Sequence, residues 1–229
     1  MKKILIWGGG LQSRIIQSMI YDNNTGDIIG IFDNTINRIS YPTNCKLFNS
    51  YSLLPELLSR STHFVVAIGN EHGYLRSAIS IKLTSLGLQP INLISQYAVI
   101  DKTAELGDGL QIMSGCNVHK FTKINNFSIL NTSSTIDHEC SIGTGVHVMG
   151  SAALAGDITV ENYVSVGTNA TILPSLVIGE HAQIGAGSVV LKNVAQQSVM
   201  VGVPAVLLRK LSLNFNFNDL SELEKISFN

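Results

Sequence analysis

The sequence predicts an α/β domain followed by a β domain, a parallel β-helix, and two patterns carry this prediction. Strands alternate with helices over residues 1–90. From residue 100 onward, an aliphatic residue recurs every six positions without an insertion. A fixed six-residue period is typical of a β-helix built from hexapeptides, whereas an amphipathic α-helix repeats every 3.6 residues.

The first segment, residues 1–90, is predicted to be a small Rossmann-like domain. Its apolar runs indicate strands over 2–8, 27–34 and 63–70, and helices over 11–21, 53–58 and 73–86. Because strands that alternate with helices form a parallel sheet, the carboxyl ends of the three strands are expected at one edge. Asp33 and Gly69-Asn70 end two of these strands, so this edge is a candidate ligand crevice.

Three glycines, Gly8-Gly9-Gly10, lie between the first strand and the first helix. Backbone N–H groups at such a turn suit a phosphate or a ribose. The dinucleotide pattern G-x-G-x-x-G is incomplete, because Ser13 occupies the third glycine position. The sequence therefore disfavours an NAD-dependent enzyme. A tight turn with a surface carboxylate at Asp33 is the plain structural alternative.

The second segment, residues 97–208, is predicted to be the β-helix. Three hexapeptides close one triangular coil, and the aliphatic side chains of successive coils stack about 4.8 Å apart along the axis. The position four residues after each aliphatic residue is small or aliphatic, and Cys116 and Cys140 occupy it. Both cysteines are therefore expected to be buried and unreactive. The tail, 209–229, gives no specific prediction: a helix from about residue 219 that docks on a neighbour and a mobile segment are both open alternatives.

Composition excludes several classes of partner. Lys+Arg is 15 and Asp+Glu is 16, a net charge of −1, so no nucleic-acid partner is expected. No apolar stretch reaches the roughly 18 residues that a membrane span requires. Three cysteines without a CxxC pair argue against a disulfide framework. The sequence favours a soluble cytoplasmic protein.

His138-Glu139, in the middle of the repeat, is the candidate catalytic pair. Histidine is the natural general base near neutral pH, and an adjacent carboxylate orients it and raises its basicity. Gly156 lies eighteen residues later, one full coil away, where its N–H could face an oxyanion. A catalytic metal is not expected, since no two histidines of the repeat have the five-residue spacing of β-helix carbonic anhydrases.

Three stretches carry a resemblance to a known family: ILNTSSTIDHECSIG (129–143), VVAIGNE (65–71) and KNV…VGVPA (192–205). They resemble bacterial nucleotide-amino-sugar N-acetyltransferases of the hexapeptide family, and are similar to the PglD type, to the sialic-acid O-acetyltransferase group and to GDP-perosamine N-acetyltransferase. The resemblance implies a left-handed β-helix, a homotrimer, and acetyl-CoA bound between subunits. It also implies that the first domain holds a nucleotide-linked 4-amino-4,6-dideoxy sugar, a precursor of a surface polysaccharide or glycan.

The resemblance also assigns roles to individual residues. It implies His138 as the base, Glu139 as its enhancer and Asn131 as a polar neighbour. The implied acetyl-CoA contacts are His147, Gly156, Thr168 and Ala186. The implied nucleotide-sugar contacts are Gly10, Leu11, Gln12, Asp33, Asn34 and Gly69. The chain departs from the family at Leu11-Gln12, where a glycine and a histidine are common.

Two alternatives to amine acetylation remain at this point. An O-acetyltransferase of the sialic-acid type would use the same base on a sugar hydroxyl. A non-catalytic β-helix protein would serve only as a binding or scaffold subunit. The His138-Glu139 pair and the glycine turn argue against the second alternative.

Overall fold

The computed structural model describes residues 1–215 and 217–225. This part of the chain forms two compact units. The first contains residues 1–68 and 75–93 and the described residues from 215 onward. The second contains residues 69–74 and 94–214.

The first unit is built on a five-stranded parallel sheet with strand order β3-β2-β1-β4-β5. In chain order, its elements are β1 (Lys2–Trp7), α1 (Leu11–Asp22), β2 (Gly26–Phe32), β3 (Leu47–Phe48), a 3₁₀ turn (Tyr51–Leu53), α2 (Leu54–Arg60), β4 (His63–Val66), α3 (Gly73–Ser85) and β5 (Gln89–Pro90). The central strand carries an unbroken apolar run, Ile4–Trp7, and all four residues are buried. Such a run is typical of a parallel strand covered on both faces.

The predicted helices and strands of this unit are present, but all three predicted strands end earlier than predicted, β1 at Trp7 instead of residue 8. β2 ends at Phe32 instead of residue 34, and β4 ends at Val66 instead of residue 70. Both strands end opposite Trp7, the last residue of β1. The chain leaves β1 at Gly8, whose φ of 104° lies in the left-handed region. The hydrogen-bonded pairing of β1 with β2 and β4 therefore stops where β1 ends.

The described part of the tail folds into the first unit. It forms α4 (Asn218–Glu224), and the Leu223 side chain is fully buried in the apolar core of that unit. The Tyr51 hydroxyl donates a hydrogen bond to the Asp219 carboxylate. Burial, followed by the contact with Asp219, raises the pKa of Tyr51. The helix alternative for the tail is therefore confirmed, and the helix packs within its own chain rather than on a neighbour.

The second unit is a parallel β-helix with three faces. The first face contains β6 (Leu93–Ile94), β9 (Gln111–Ile112), β12 (Ile129–Leu130), β15 (His147–Val148), β18 (Ser165–Val166), β21 (Gln183–Ile184), β23 (Ser198–Val201) and the antiparallel β24 (Val206–Lys210). The second face contains β7 (Val99–Ile100), β10 (Asn117–Val118), β13 (Thr135–Ile136), β16 (Ala153–Leu154), β19 (Thr171–Ile172) and β22 (Val189–Val190). The third face contains β8 (Glu105–Leu106), β11 (Lys123–Ile124), β14 (Ser141–Ile142), β17 (Thr159–Val160) and β20 (Val177–Ile178).

The six-residue period explains this architecture. Each strand from β7 to β22 ends on one of the predicted aliphatic positions, and these side chains form the axial core. Neighbours on a face are eighteen residues apart, as in the pairing of Asn117 with Thr135. Cys116 and Cys140 are buried as predicted, and burial raises the pKa of the Cys116 thiol to about 11.

None of the helices in the described ranges is long and apolar enough to cross a membrane.

Candidate functional site

His138 lies at the corner of the β-helix between the second and third faces. Strand β13 leads into Asp137, His138 and Glu139, and β14 begins at Ser141. An Asp137 carboxylate oxygen, Oδ1, accepts a hydrogen bond from the His138 backbone N–H at 2.7 Å. Glu139 has a φ of 59°, the left-handed conformation that turns the chain at many corners of this helix. The corner therefore presents three polar side chains in succession.

The His138 and Glu139 side chains are bonded to each other. His138 Nδ1 lies 3.0 Å from Glu139 Oε2, and both side chains are more than half exposed. A carboxylate only accepts hydrogen bonds, so Nδ1 carries the proton of the neutral ring and donates a hydrogen bond to Glu139. Nε2 then holds the lone pair, which is the arrangement that a general base requires.

Gly156 lies directly against the His138 ring, one coil later. A Cβ atom at Gly156 would lie 2.5 Å from both Cε1 and Nε2 of His138. A backbone hydrogen bond between the two successive coils fixes the alignment of Gly156 with His138, because the Asp157 N–H donates to the His138 carbonyl at 2.9 Å. The absence of a side chain at Gly156 therefore makes room for the imidazole, and the one-coil relation inferred from the sequence is present.

A cavity of about 460 Å³ opens beside this corner. Besides His138 and Glu139, its polar lining includes His119, Lys120 and Asp137, and its apolar lining includes Val118 and Phe121. Pockets that hold small ligands commonly have volumes of about 300–1,000 Å³. The cavity is therefore large enough for a sugar-sized ligand next to His138.

His147 has a different environment, on the first face. It opens strand β15, only 4% of it is exposed, and its Nδ1 lies 3.2 Å from the Asn70 carbonyl oxygen. Gly69 is adjacent, since a Cβ there would lie 3.7 Å from His147 Cε1. The segment 69–74, which follows the end of β4 in sequence, is therefore fixed on the β-helix through His147.

Three further predicted residues lie at the corner between the first and second faces. Asn131 follows β12, Thr168 follows β18 and Ala186 follows β21. The Thr168 carbonyl accepts the Gly187 N–H at 2.8 Å, so the turns after β18 and β21 stack on each other. Thr168 and Ala186 are exposed. Within one chain, this corner is separate from the one that carries His138.

The predicted nucleotide-sugar residues of the first unit gather at the carboxyl edge of its sheet. Asp33 Oδ2 accepts the Gly9 N–H at 2.7 Å, and Oδ1 accepts the Thr35 N–H at 2.9 Å. Gly10 is the residue before α1, and Leu11 and Gln12 open that helix. Leu11 is 68% exposed, and Asn34 directly follows Asp33.

The predicted site residues thus form four groups. His138, Glu139 and Gly156 form one corner, and Asn131, Thr168 and Ala186 form another. Gly69 joins His147 on the first face. The remaining residues, Gly10, Leu11, Gln12, Asp33 and Asn34, stay in the first unit.

Sequence reasoning did not single out His119, Lys120 or Phe121 as site residues. The eighteen-residue coil contains the signal that could have found them, because Lys120 precedes His138 by one coil and His119 precedes Asp137 by one coil. A search at this spacing from the candidate base identifies the residues beside it. Among residues 1–215 and 217–225, no group of three or more His, Cys, Asp or Glu side chains could hold a metal ion.

Two family models match the chain. The PglD N-terminal domain matches residues 3–81, and the bacterial transferase hexapeptide, six repeats, matches residues 157–192. The chain therefore resembles the PglD N-terminal domain in its first segment and the bacterial hexapeptide transferases in its repeats. The family resemblance seen in the sequence is therefore confirmed.

Solved structures match nearly the whole chain. PerB from Caulobacter crescentus, in complex with CoA and GDP-perosamine, is 26% identical with a TM-score of 0.81, over 90% of this chain and 97% of its own. A histidine-to-asparagine variant of perosamine N-acetyltransferase from Caulobacter crescentus, also in complex with CoA and GDP-perosamine, is 25% identical with a TM-score of 0.85, over 92% and 98%. The acetyltransferase domain of PglB from Neisseria gonorrhoeae shares the fold, at 23% identity, a TM-score of 0.80, and coverage of 90% and 99%. The predicted fold class, a Rossmann-like domain before a left-handed β-helix, is confirmed.

Proposed function

We propose that this protein transfers the acetyl group of acetyl-CoA to the amine of a nucleotide-linked 4-amino-4,6-dideoxy sugar. The observation that carries the proposal is the His138–Glu139 pair, with 3.0 Å between Nδ1 and Oε2, beside a cavity that a sugar can enter. The neighbouring structures support the same chemistry, since PerB is in complex with CoA and GDP-perosamine. The predicted enzyme class, an acetyl-CoA-dependent acyltransferase, is confirmed by these neighbours.

In the proposed mechanism, His138 deprotonates the acceptor amine. The Nδ1–H group of His138 is hydrogen-bonded to Glu139, so the unprotonated Nε2 takes one proton from the sugar ammonium. The neutral amine attacks the thioester carbonyl, and collapse of the tetrahedral intermediate breaks the C–S bond. The thiolate of CoA leaves and is protonated, and the amide loses its extra proton. No covalent enzyme intermediate is needed, which agrees with the burial of Cys140.

Gly156 is proposed to stabilise the oxyanion of that intermediate. Among the described residues, no hydrogen-bond acceptor within the chain pairs with its N–H. The same glycine lies against the His138 ring, so its N–H is near the place where the reaction would occur. A preorganised N–H donor that faces a developing oxyanion commonly contributes about 3–4 kcal/mol to transition-state stabilisation.

We assign the nucleotide-sugar to the first unit and acetyl-CoA to the β-helix. The glycine turn before α1 offers backbone N–H groups, and Gly10, Leu11, Gln12, Asp33 and Asn34 remain the proposed contacts there. Gly69, which lies beside His147 in the second unit, also remains a proposed contact. His147, Thr168 and Ala186 remain the proposed acetyl-CoA contacts. Asn131 is proposed as a polar neighbour of the reaction. The exchange of the family's histidine for Gln12 bears on which sugar is accepted.

The working enzyme is proposed to be a homotrimer. In one chain, His138 lies on one corner of the β-helix, and Asn131, Thr168 and Ala186 lie on another. Neighbouring subunits that meet corner to corner would bring the two groups into one site. The proposed location is the cytoplasm, where acetyl-CoA and nucleotide sugars are made, and the proposed product is a precursor of a surface polysaccharide or glycan.

The test is thiol release from acetyl-CoA with UDP-, GDP- and dTDP-linked 4-amino-4,6-dideoxy sugars. We expect turnover on one of them, and a loss of about 10²–10⁴-fold in His138→Ala. His63→Ala is the matched control, because His63 begins β4, at the amino end of the strand, whereas the proposed contacts of the first unit lie at the carboxyl edge of its sheet. Light scattering of the same preparations tests the trimer.

Two outcomes would contradict this proposal. Turnover only on acceptors that carry a hydroxyl in place of the amine would show O-acetylation. Absence of turnover on every acceptor, together with no binding of acetyl-CoA, would leave a non-catalytic β-helix subunit.

A further inference from the structure

The cavity beside His138 contains a second pair of polar side chains that the proposed mechanism does not use. Asp137 Oδ1 accepts the His138 N–H at 2.7 Å and lies 3.4 Å from His119 Nδ1. Both contacts involve the same oxygen. Within the described residues, no hydrogen bond or ion pair occupies Asp137 Oδ2. One carboxylate oxygen of Asp137 therefore stabilises the turn that contains His138, and the other is available to a ligand.

The β-helix register holds His119 and Asp137 together. They are eighteen residues apart, and the His119 N–H bonds to the Ile136 carbonyl at 2.9 Å. Their side chains are 52% and 40% exposed, and both line the cavity. They therefore present an imidazole and a carboxylate to any ligand that reaches His138.

The charged groups around this pair limit the ligand chemistry. Lys120 follows His119 in the same coil and lies 3.7 Å from Asp101 of the preceding coil, and Glu139 is bonded to His138. Acidic and basic groups thus alternate along the wall, which disfavours a phosphate as the occupant. The apolar part, Val118 and Phe121, suits the carbon face and the methyl group of a deoxy sugar.

We propose that Asp137 and His119 bind the sugar hydroxyl next to the acceptor amine, so that this cavity selects acceptors that carry that hydroxyl. This inference rests on the proposed function. A hydroxyl can donate to Asp137 Oδ2 and, when the His119 ring is protonated so that both of its nitrogens donate, accept from His119 at the same time. Contact with the hydroxyl leaves the amine to His138. A carboxylate bound directly to the ammonium would instead hold its proton.

The test compares a 4-amino sugar nucleotide with its 3-deoxy analogue in the full-length enzyme. The wild-type enzyme is expected to lose about 10–100-fold in kcat/KM on the analogue, less than in a fully buried site, because the pair is partly exposed. Asp137→Asn keeps an amide oxygen for the His138 N–H but replaces the free acceptor oxygen with a donor. Its preference for the hydroxyl should fall to within about threefold, mostly through KM.

Matched variants separate binding from structure. His119→Asn retains an N–H for Asp137 and should keep more of the preference than His119→Ala. Asp108→Asn, an exposed carboxylate elsewhere on the β-helix, should leave the preference unchanged. An equal loss on both acceptors in Asp137→Asn would overturn the inference and leave Asp137 with only a positioning role.

Calorimetry separates this inference from the proposed function. If the wild-type enzyme turns over no acceptor, the proposed function fails, and binding of the two nucleotide sugars still compares wild type with Asp137→Asn. A hydroxyl preference that Asp137→Asn abolishes would support the cavity assignment. Equal binding of both sugars by the wild type, or binding of neither, would overturn it.

Discussion

Two histidines of the same β-helix, His138 and His147, have opposite environments. His138 lies at a corner, more than half exposed, with Nδ1 bonded to Glu139. His147 lies in a strand, 4% exposed, with Nδ1 bonded to the Asn70 carbonyl. They are nine residues apart, one and a half hexapeptides. The position within the repeat therefore decides whether a histidine is accessible for proton transfer or holds two segments together.

Of the substitutions that test this comparison, removal of the exposed imidazole of His138 should have the largest effect. His138→Ala should lower kcat by about 10²–10⁴-fold, because the proposed general base is lost. Stability should hardly change, because the side chain is mostly exposed. Steady-state assays and thermal unfolding of the same preparation check both statements. A variant with normal kcat would show that the acceptor needs no base.

Displacement of the His138 ring should have the next largest effect. Gly156→Ala places a methyl group 2.5 Å from Cε1 and Nε2, so the imidazole must move. A displacement of about 1 Å commonly costs on the order of 10²-fold in rate.

Gly150→Ala is the matched control for that substitution. Its methyl group would meet only the Thr132 carbonyl oxygen, at 3.4 Å, an ordinary contact. Equal activity of the two variants would show that the His138–Gly156 contact has no role in the reaction.

Removal of the buried imidazole should lower stability and, through the proposed contact with acetyl-CoA, raise the KM for acetyl-CoA, with a smaller effect on kcat. His147→Ala leaves the Asn70 carbonyl without its partner at 3.2 Å, a loss of about 1–3 kcal/mol. The segment 69–74 should then be cleaved faster by proteases. Chemical denaturation and limited proteolysis measure these changes. A loss of kcat as large as that of His138→Ala, with full stability, would reverse the assignment.

A third histidine, His181, is intermediate and gives the smallest expected effect. It packs against Tyr163 and Tyr74, and burial lowers its pKa below the usual 6.5, against the opposing influence of Glu180. The unfolded chain therefore binds the proton more tightly. Stability should be complete above pH 6.5 and fall as the pH drops from 6.5 towards the folded-state pKa.

The change in the unfolding temperature from this residue should be about 1–2 °C, because the ring is partly exposed. Thermal unfolding of wild type and His181→Asn across about pH 8 to 5 measures it. The wild-type curve should fall further than that of the variant. Parallel curves would exclude His181 as the titrating group.

The β-helix was predictable from the sequence because its rule is local. Each strand from Val99–Ile100 to Val189–Val190 ends on a predicted aliphatic residue, since one six-residue unit sets both the turn and the inward side chain. The relation of Gly156 to His138 followed from the same rule. Periodicity therefore located this corner without any knowledge of the remainder of the fold.

Contacts that involve residues outside the hexapeptide repeat were not predictable in this way. No spacing in the sequence links Asn70 to His147 or Asp219 to Tyr51. The helix pattern after residue 217 gave no indication of which apolar surface Leu223 covers. Such contacts depend on where the chain returns in space, which a local pattern does not encode.

The burial of Leu223 in the first unit makes that unit dependent on the order of synthesis. The other residues of its core, from Leu5 to Leu88, emerge from the ribosome before the β-helix does. Leu223 is made only after the last coil. A chain that stalls within the repeats therefore carries an unfinished first unit with exposed apolar surface, which is the kind of surface on which nascent proteins aggregate.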